Sequence, residues 1–166
     1  MSKAQEEKKV KDLLIPLTDY PHLPYWASLK EAVVQLTVAQ QGLQPGERRR
    51  TVLVFDEAYK LQGILTERDI LRGVEPKFAS KYHEAAQVQW ENLITAPAQA
   101  QLKKPIKDFM SPVGAKVGQE ENLMKASHLM LQEKVDLIPV MEGNRVKGVV
   151  RLEDIFHEIS KAILSV

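Results

Sequence analysis

The chain has 166 residues, enough for one domain or two small, closely packed halves with a real apolar core. Its apolar content of 44% and charged content of 27% are ordinary for a water-soluble globular protein. A net charge of +1 gives no general attraction to nucleic acid or anionic membranes, and the absence of cysteine excludes disulfides and thiolate metal sites.

Two further exclusions concern targeting. No apolar run approaches the roughly 20 residues that a membrane-spanning helix needs. The N-terminal stretch MSKAQEEKKVKDLL is charged and lacks the apolar segment of a secretory signal. We therefore expect a cytoplasmic protein with neither a nucleic-acid nor a membrane partner.

The first predicted element is a short helix in residues 10–16 (VKDLLIP), which residues 106–112 (IKDFMSP) resemble. An amphipathic helix is predicted after each copy, and Ser28 with Glu31 forms a capping-box pattern at the start of the first. The apolar positions of that helix, at i, i+3, i+4 and i+7, are Leu29, Ala32, Val33 and Leu36. The matching positions of the second helix are Leu123, Ala126, Ser127 and Met130.

Two segments of the first half, residues 18–27 (TDYPHLPYWA) and 41–50 (QGLQPGERRR), have no counterpart in the second half. Their proline and glycine residues predict loops. The three arginines that end the second segment either bind phosphate or face solvent, as short charge runs usually do.

A longer repeat follows in the chain. Residues 53–70 (LVFDEAYKLQGILTERDI) align without a gap with residues 138–155 (IPVMEGNRVKGVVRLEDI). Each copy has an apolar strand, a polar turn, a second strand containing Gly63 or Gly148, and an acidic residue at the start of a helix. An internal repeat of this kind predicts two similar halves with pseudo-two-fold symmetry, and a groove between such halves is a natural place for a small molecule.

The repeats divide the chain into residues 1–76, which carry the first motif and the N-terminal helix, and residues 106–166, which carry the second. Residues 77–105 are predicted as a connecting helix and linker. The helix, at 78–93, either bridges the halves, packs on a partner or covers the core of this chain, and 96–101 (APAQAQ) is predicted as the linker.

The repeated unit resembles the CBS domain, the module named after cystathionine beta-synthase, over residues 8–74 and 104–164. The resemblance is carried by GILTERD at 63–69, GVVRLED at 148–154 and the apolar-Pro-Val strand IPVM at 138–141. Two such units in tandem resemble a Bateman module. The resemblance implies an α/β fold with two pseudo-symmetric CBS motifs, each a small, mostly three-stranded sheet with helices packed on it.

The resemblance also implies a function. CBS pairs bind adenine nucleotides or related adenosine compounds and regulate an enzyme, channel or transporter. For this chain it implies AMP, ADP, ATP or S-adenosylmethionine as a regulatory ligand, an effector protein as partner, a homodimer formed through helices, and no catalytic role. The alternative is a module of the same fold that binds no ligand and serves oligomerisation or scaffolding.

The family pattern implies ligand contacts at three positions, Thr66, Asp69 and Asp154, and two arginines are further candidates. Thr66 is expected at phosphate, Asp69 and Asp154 at ribose, and Arg68 near a phosphate or in a surface ion pair. Arg151 stands where a hydroxyl residue is expected, and it either binds phosphate or fills the site. Thr66 and Asp69 also form a capping-box pattern, a role compatible with ligand contact. The first half is therefore the better candidate, and no catalytic motif or metal-ligand spacing is visible.

Overall fold

The computed structural model describes residues 7–75 and 94–166. The predicted helix at 78–93 lies outside the described residues. The α-helices in the described part are α1 Leu29–Ala39, α2 Glu67–Val74, α3 Ala96–Leu102, α4 Leu123–Glu133 and α5 Leu152–Leu164. The strands are β1 Ile15–Pro16, β2 His22–Pro24, β3 Thr51–Phe55, β4 Leu61–Thr66, β5 Val117–Gly118, β6 Leu137–Glu142 and β7 Arg145–Arg151. Short 3-10 helices lie at Val10–Asp12, Leu17–Asp19, Pro45–Glu47 and Ile106–Asp108.

The chain forms two compact units, one from Pro21–Pro112 and one from Met1–Tyr20 with Val113–Val166. We call them the middle unit and the terminal unit. Each contains a short helix, an amphipathic helix, a strand hairpin and a further helix, so the mixed α/β fold predicted from the repeat is confirmed.

The middle unit contains a three-stranded sheet in the order β2-β3-β4, with β2 parallel and β4 antiparallel to β3. The capping box predicted for α1 is present, since the Ser28 side chain accepts the Glu31 backbone N–H at 3.1 Å. The buried core residues of this unit are Ala27, Leu29, Ala32, Leu36, Val52, Val54, Leu65 and Ile106. The predicted apolar face of α1 therefore packs on the sheet, except that Val33 is exposed.

The terminal unit contains a four-stranded sheet in the order β1-β7-β6-β5. The edge strand β1 comes from the N-terminal segment and pairs antiparallel with β7, which makes this sheet one strand larger than the predicted three. Its buried core residues are Val10, Val117, Leu123, Ala126, Met130, Ile138, Val140, Val150 and Ile155.

The two similar segments at 10–16 and 106–112, which we call the lead-in segments, each pack on the hairpin repeat that lies farther away in sequence. Residues 10–16 lie in the terminal unit, and residues 106–112 lie in the middle unit. The predicted boundaries at 76 and 106 instead group each lead-in with the repeat that follows it along the chain. The structure differs because strand pairing and burial, rather than sequence order, decide where each lead-in lies.

The repeated glycines explain how each lead-in can approach its sheet. A Cβ atom at Gly63 would lie 2.7 Å from the backbone oxygen of Ser111, and one at Gly148 would collide with the backbone oxygen of Ile15. Only glycine leaves room for a crossing backbone at such a distance. The repeat therefore preserves a packing requirement that both units share.

Two predictions about loops were wrong. Residues 22–24, within a predicted loop, form strand β2, because an edge strand tolerates the proline at its end. Residues 96–101, predicted as a linker, form most of α3. The Thr95 hydroxyl caps this helix by accepting the Ala98 backbone N–H at 3.3 Å, and Pro97 lies in its first turn, where proline is tolerated.

The gapless alignment of the two hairpins was also wrong by one residue in their first strands. Gly63 pairs with Val54 and Gly148 pairs with Val140, and a register shift follows directly after each valine. The ungapped alignment instead matches Val54 with Pro139. The first hairpin therefore has one more residue between its paired positions, which sequence similarity alone does not reveal.

Candidate ligand site

Thr66 and Asp69 form a reciprocal capping box at the start of α2. The Thr66 hydroxyl oxygen accepts the Asp69 backbone N–H at 3.1 Å, and Asp69 Oδ2 accepts the Thr66 backbone N–H at 3.0 Å. Two backbone donors of the first helical turn are thereby satisfied. The structure thus confirms the capping interpretation of this pair, which leaves the Thr66 hydroxyl proton available as a donor.

The Asp69 carboxylate is buried, with 3% of the residue exposed. The Ser111 hydroxyl lies 2.9 Å from Oδ1 and 3.1 Å from Oδ2, and Arg72 Nη1 lies 3.3 Å from Oδ1. Burial of a charged carboxylate is tolerated when hydrogen bonds and an opposite charge accompany it. Both Asp69 oxygens therefore have partners within the middle unit.

Neither Ser111 nor Arg72 was among the predicted site residues. Ser111 reaches Asp69 because its backbone forms two hydrogen bonds with Ile64, at 2.8 and 3.0 Å, which fix the lead-in beside β4. The signal available in the sequence was the lead-in repeat, in which Ser111 stands opposite Ile15 and is the one polar replacement of an apolar residue. Arg72 was visible as the residue one helical turn after Asp69.

Two arginines, Arg50 and Arg68, lie at the start of α2. Arg68 is exposed and forms no ion pair with another described residue, so its guanidinium faces solvent at the first turn of the helix. Arg50 Nε lies 4.0 Å from Glu67 Oε1, and both side chains are largely exposed. These groups, with the helix N-terminus, favour a negatively charged ligand group near Thr66.

The terminal unit has a different arrangement at the same point of its repeat. Arg151 is 7% exposed and forms two hydrogen bonds to Asp154, from Nε to Oδ2 at 2.8 Å and from Nη2 to Oδ1 at 2.9 Å. Its Nη1 lies 2.8 Å from Glu153 Oε1. Arg151 therefore forms intramolecular ion pairs at the position where the repeat of the middle unit has Thr66.

The ion pairs of Arg151 stabilise the charged form of its side chain. Burial alone lowers the pKa of the guanidinium, but the hydrogen bonds and negative charge of Asp154, with smaller effects from Glu153 and Tyr20, raise that pKa above its ordinary value overall. The side chain has no hydrogen bond that caps α5, so the threonine-type cap of the middle unit is lost here. At the start of α5, the terminal unit thus has an ion pair between Arg151 and Asp154 where the middle unit has a hydroxyl cap.

The two arrangements differ in chemical capacity. In the middle unit the Asp69 carboxylate can accept hydrogen bonds from sugar hydroxyls. The Thr66 hydroxyl and the nearby arginines can donate hydrogen bonds to an anionic group. In the terminal unit the carboxylate is already bound in a bidentate fork. No cluster of three or more histidine or acidic side chains suited to a metal ion occurs within residues 7–75 and 94–166.

The match to a known protein family lies in the part of the sequence that carries the second repeat. Residues 106–161 match the family model of the CBS domain. No curated protein has a significant match to the sequence. Among solved structures, the CBS-pair protein CBSX2 from Arabidopsis thaliana has a TM-score of 0.69 at 18% identity, with 95% of this chain and 97% of that chain covered.

The chain folds as a tandem CBS pair. The CBS domain pair of protein MJ0100, solved with 5′-methylthioadenosine and S-adenosyl-L-methionine, has a TM-score of 0.66 at 22% identity and covers 95% of this chain and 99% of that one. CBSX2 has also been solved in complex with AMP, and that structure has a TM-score of 0.65 at 17% identity, covering 93% of this chain and 98% of that one.

One similar structure is considerably longer. Protein MJ1004 from Mathanocaldococcus jannaschii has a TM-score of 0.63 at 21% identity, and the match covers 92% of this chain but only 60% of that chain. At these identities the likeness is one of fold. Within the described residues of the present chain, no helix is long and apolar enough to cross a membrane.

Proposed function

We propose that this CBS pair is a regulatory module that senses an adenosine-type ligand through the middle unit. Asp69 would bind the ribose hydroxyls, while Thr66 and Arg68 would bind a phosphate or another anionic group. The observation that carries the proposal is the Asp69 carboxylate, buried beside a helix start yet held there by a hydroxyl. A carboxylate that already accepts one hydroxyl has suitable chemistry for the two hydroxyls of a ribose.

The ligands of the similar structures support the ribose contact more than the phosphate contact. AMP, 5′-methylthioadenosine and S-adenosylmethionine, bound to CBSX2 and MJ0100, share an adenine and a ribose, but AMP alone carries a phosphate. We therefore give Asp69 the main role and Thr66 the role that selects among ligands. Asp154 and Arg151 would form a second, weaker site because the ion pair between them must open first.

A thermal-shift experiment with AMP, ADP, ATP and S-adenosylmethionine tests the proposal. A ligand present at 100 times its Kd should stabilise the folded chain by about 2.7 kcal/mol, which is a clear rise in the unfolding temperature. Adenine without ribose is the matched control and should give a much smaller shift. The absence of a shift with all four compounds at millimolar concentration would contradict the proposal.

The second candidate function is oligomerisation or scaffolding without a ligand. It is favoured by the apolar side chains that α5 leaves exposed, since Phe156 is 69% and Ile163 is 63% exposed, and by the structural use of Thr66 and Asp69 as a cap. Large exposed apolar side chains grouped on one element mark interaction surfaces. Under this candidate the thermal-shift experiment gives no response, while the chain still self-associates.

We propose that the module forms a homodimer through helices and passes ligand occupancy to an effector protein, without catalysing a reaction itself. We propose a cytoplasmic location because a sequence without cysteine fits a reducing compartment.

A further inference from the structure

The Ser111 hydroxyl contacts both oxygens of the Asp69 carboxylate. The distances to Oδ1 and Oδ2 are 2.9 and 3.1 Å, so the hydroxyl lies close to the bisector of the carboxylate group. A vicinal diol that binds a carboxylate with one hydroxyl on each oxygen approaches along the same direction. Ser111 therefore occupies the approach that a ribose needs.

The other acceptor positions of Asp69 are also in use. A carboxylate offers about four lone-pair sites. Oδ2 accepts the Thr66 backbone N–H at 3.0 Å, and Oδ1 accepts Arg72 Nη1 at 3.3 Å. The capping bond is part of α2 itself, so the Ser111 hydroxyl and the exposed Arg72 side chain are the donors that a ligand can replace without disrupting the helix, and of these two only Ser111 contacts both oxygens.

We propose that Ser111 is a positioning residue that sets the affinity of Asp69 for ribose, because its hydroxyl stands in for the sugar until a ligand displaces it. The inference rests on the proposed adenosine function and deepens it. Ser111 lowers affinity, since each binding event must exchange a hydrogen bond to a buried charge for those of the ligand. Ser111 also favours ligands that supply both ribose hydroxyls, because a ligand with a single hydroxyl only replaces the hydrogen bond that Ser111 gives up.

The terminal unit supports the same reasoning by contrast. Ile15 stands there in place of Ser111, pairs with Val149 and has no hydroxyl to offer Asp154. The carboxylate of Asp154 is instead held by Arg151. Each buried or half-buried aspartate thus has internal partners, and in the middle unit they include a neutral hydroxyl, that of Ser111, which a sugar hydroxyl can replace.

Isothermal titration calorimetry of the full chain with two probes tests the inference. The probes are AMP and 2′,3′-dideoxy-AMP, which lacks the diol. We expect Ser111→Ala to bind AMP about tenfold more tightly than the wild type, because a buried acceptor is left for the ribose to satisfy. Its affinity for the dideoxy compound should match that of the wild type.

Three variants complete the design. Ser111→Thr keeps the hydroxyl and should bind AMP with wild-type affinity, whereas Ser111→Cys has a weak donor and should give an intermediate gain even if the alanine variant folds poorly. Ser160→Ala removes a hydroxyl that bonds only to the Phe156 backbone oxygen among the described residues and is the matched control.

The outcomes separate the two claims. If the wild type binds AMP but Ser111→Ala and Ser111→Cys bind it equally or more weakly, Ser111 does not compete with ribose and the inference fails alone. A gain that appears equally with 2′,3′-dideoxy-AMP also overturns it. If neither the wild type nor any variant binds AMP, the proposed function and the inference fail together.

Discussion

Arg151 binds Asp154 through two parallel hydrogen bonds of 2.8 and 2.9 Å, one to each carboxylate oxygen. In the middle unit the equivalent carboxylate, Asp69, is contacted by the hydroxyl of Ser111 and by a single arginine nitrogen, Arg72 Nη1, at 3.3 Å. A bidentate arginine pair is stronger and more directional than a bond from a neutral hydroxyl. The two repeats therefore keep the same aspartate but hold it with unequal strength.

This asymmetry predicts unequal binding sites. In calorimetry with AMP, the wild type should show one principal site per chain, with any second site at least about tenfold weaker because the ion pair must open. Arg151→Thr, which restores the threonine of the middle unit, should strengthen the second site. Arg145→Thr, at an exposed position of β7, is the control. Two identical and independent sites in the wild type would contradict the prediction.

The capping role of Thr66 predicts a loss of stability that is separate from binding. Thr66→Ala should lower the free energy of unfolding by about 0.5–2 kcal/mol, because a backbone N–H at the start of α2 loses its acceptor. Thr66→Ser retains the acceptor and should remain close to the wild type. Urea unfolding without ligand measures both values, and equal stability of the alanine and serine variants would remove Thr66 from the cap.

The repeated glycines predict a graded packing effect. Gly148→Ala should destabilise the chain more than Gly63→Ala, since its Cβ would meet the Ile15 backbone, whereas part of the obstruction at Gly63 is the flexible Met110 side chain. Gly46→Ala is the matched control, because nothing lies within 4 Å of its Cβ position. Thermal unfolding should rank the control near the wild type, followed by Gly63→Ala and then Gly148→Ala. A neutral Gly148→Ala would disprove the close approach of the N-terminal segment.

The apolar surface of α5 predicts self-association. The apolar side chains of this helix differ in exposure, since Ile155 is buried, Leu152 and Ile159 pack against the core, and Phe156 and Ile163 are exposed. Phe156→Glu should therefore dissociate a dimer while leaving the unfolding temperature of the monomer nearly unchanged.

Light scattering at micromolar concentration measures the oligomeric state. Leu131→Glu, at an exposed position of α4, is the control for added charge and should leave the dimer intact. A wild-type mass of only 18.8 kDa, with and without nucleotide, would show that the chain is a monomer.

Much of the fold could be predicted from the sequence because its signals are local. Both capping boxes, at Ser28 and at Thr66, were readable from residue types three positions apart, and the structure contains both. The paired glycines and the hairpins were visible because strand, turn and helix periodicities repeat. Structural features that depend on residues close together in sequence could therefore be predicted.

The remaining features depend on distant contacts. Ser111 and Asp69 are 42 positions apart, and their contact exists because a lead-in segment packs on a sheet that comes earlier in the chain. Strand β2 has proline at its end and becomes a strand only through pairing with β3. The residues that hold the candidate site together therefore could not be identified from local patterns, although the aspartates themselves could.

The most direct measurement is a calorimetric titration of AMP into the wild type, Asp69→Asn and Asp108→Asn. Asparagine keeps the shape of the side chain and an acceptor for the cap, but it removes the charge that strengthens bonds to ribose, while Asp108 is an exposed acid of the same unit. The proposal predicts micromolar-range binding by the wild type and Asp108→Asn, and about tenfold to hundredfold weaker binding by Asp69→Asn. Equal affinity in all three proteins, or no binding by the wild type at millimolar AMP, would contradict it.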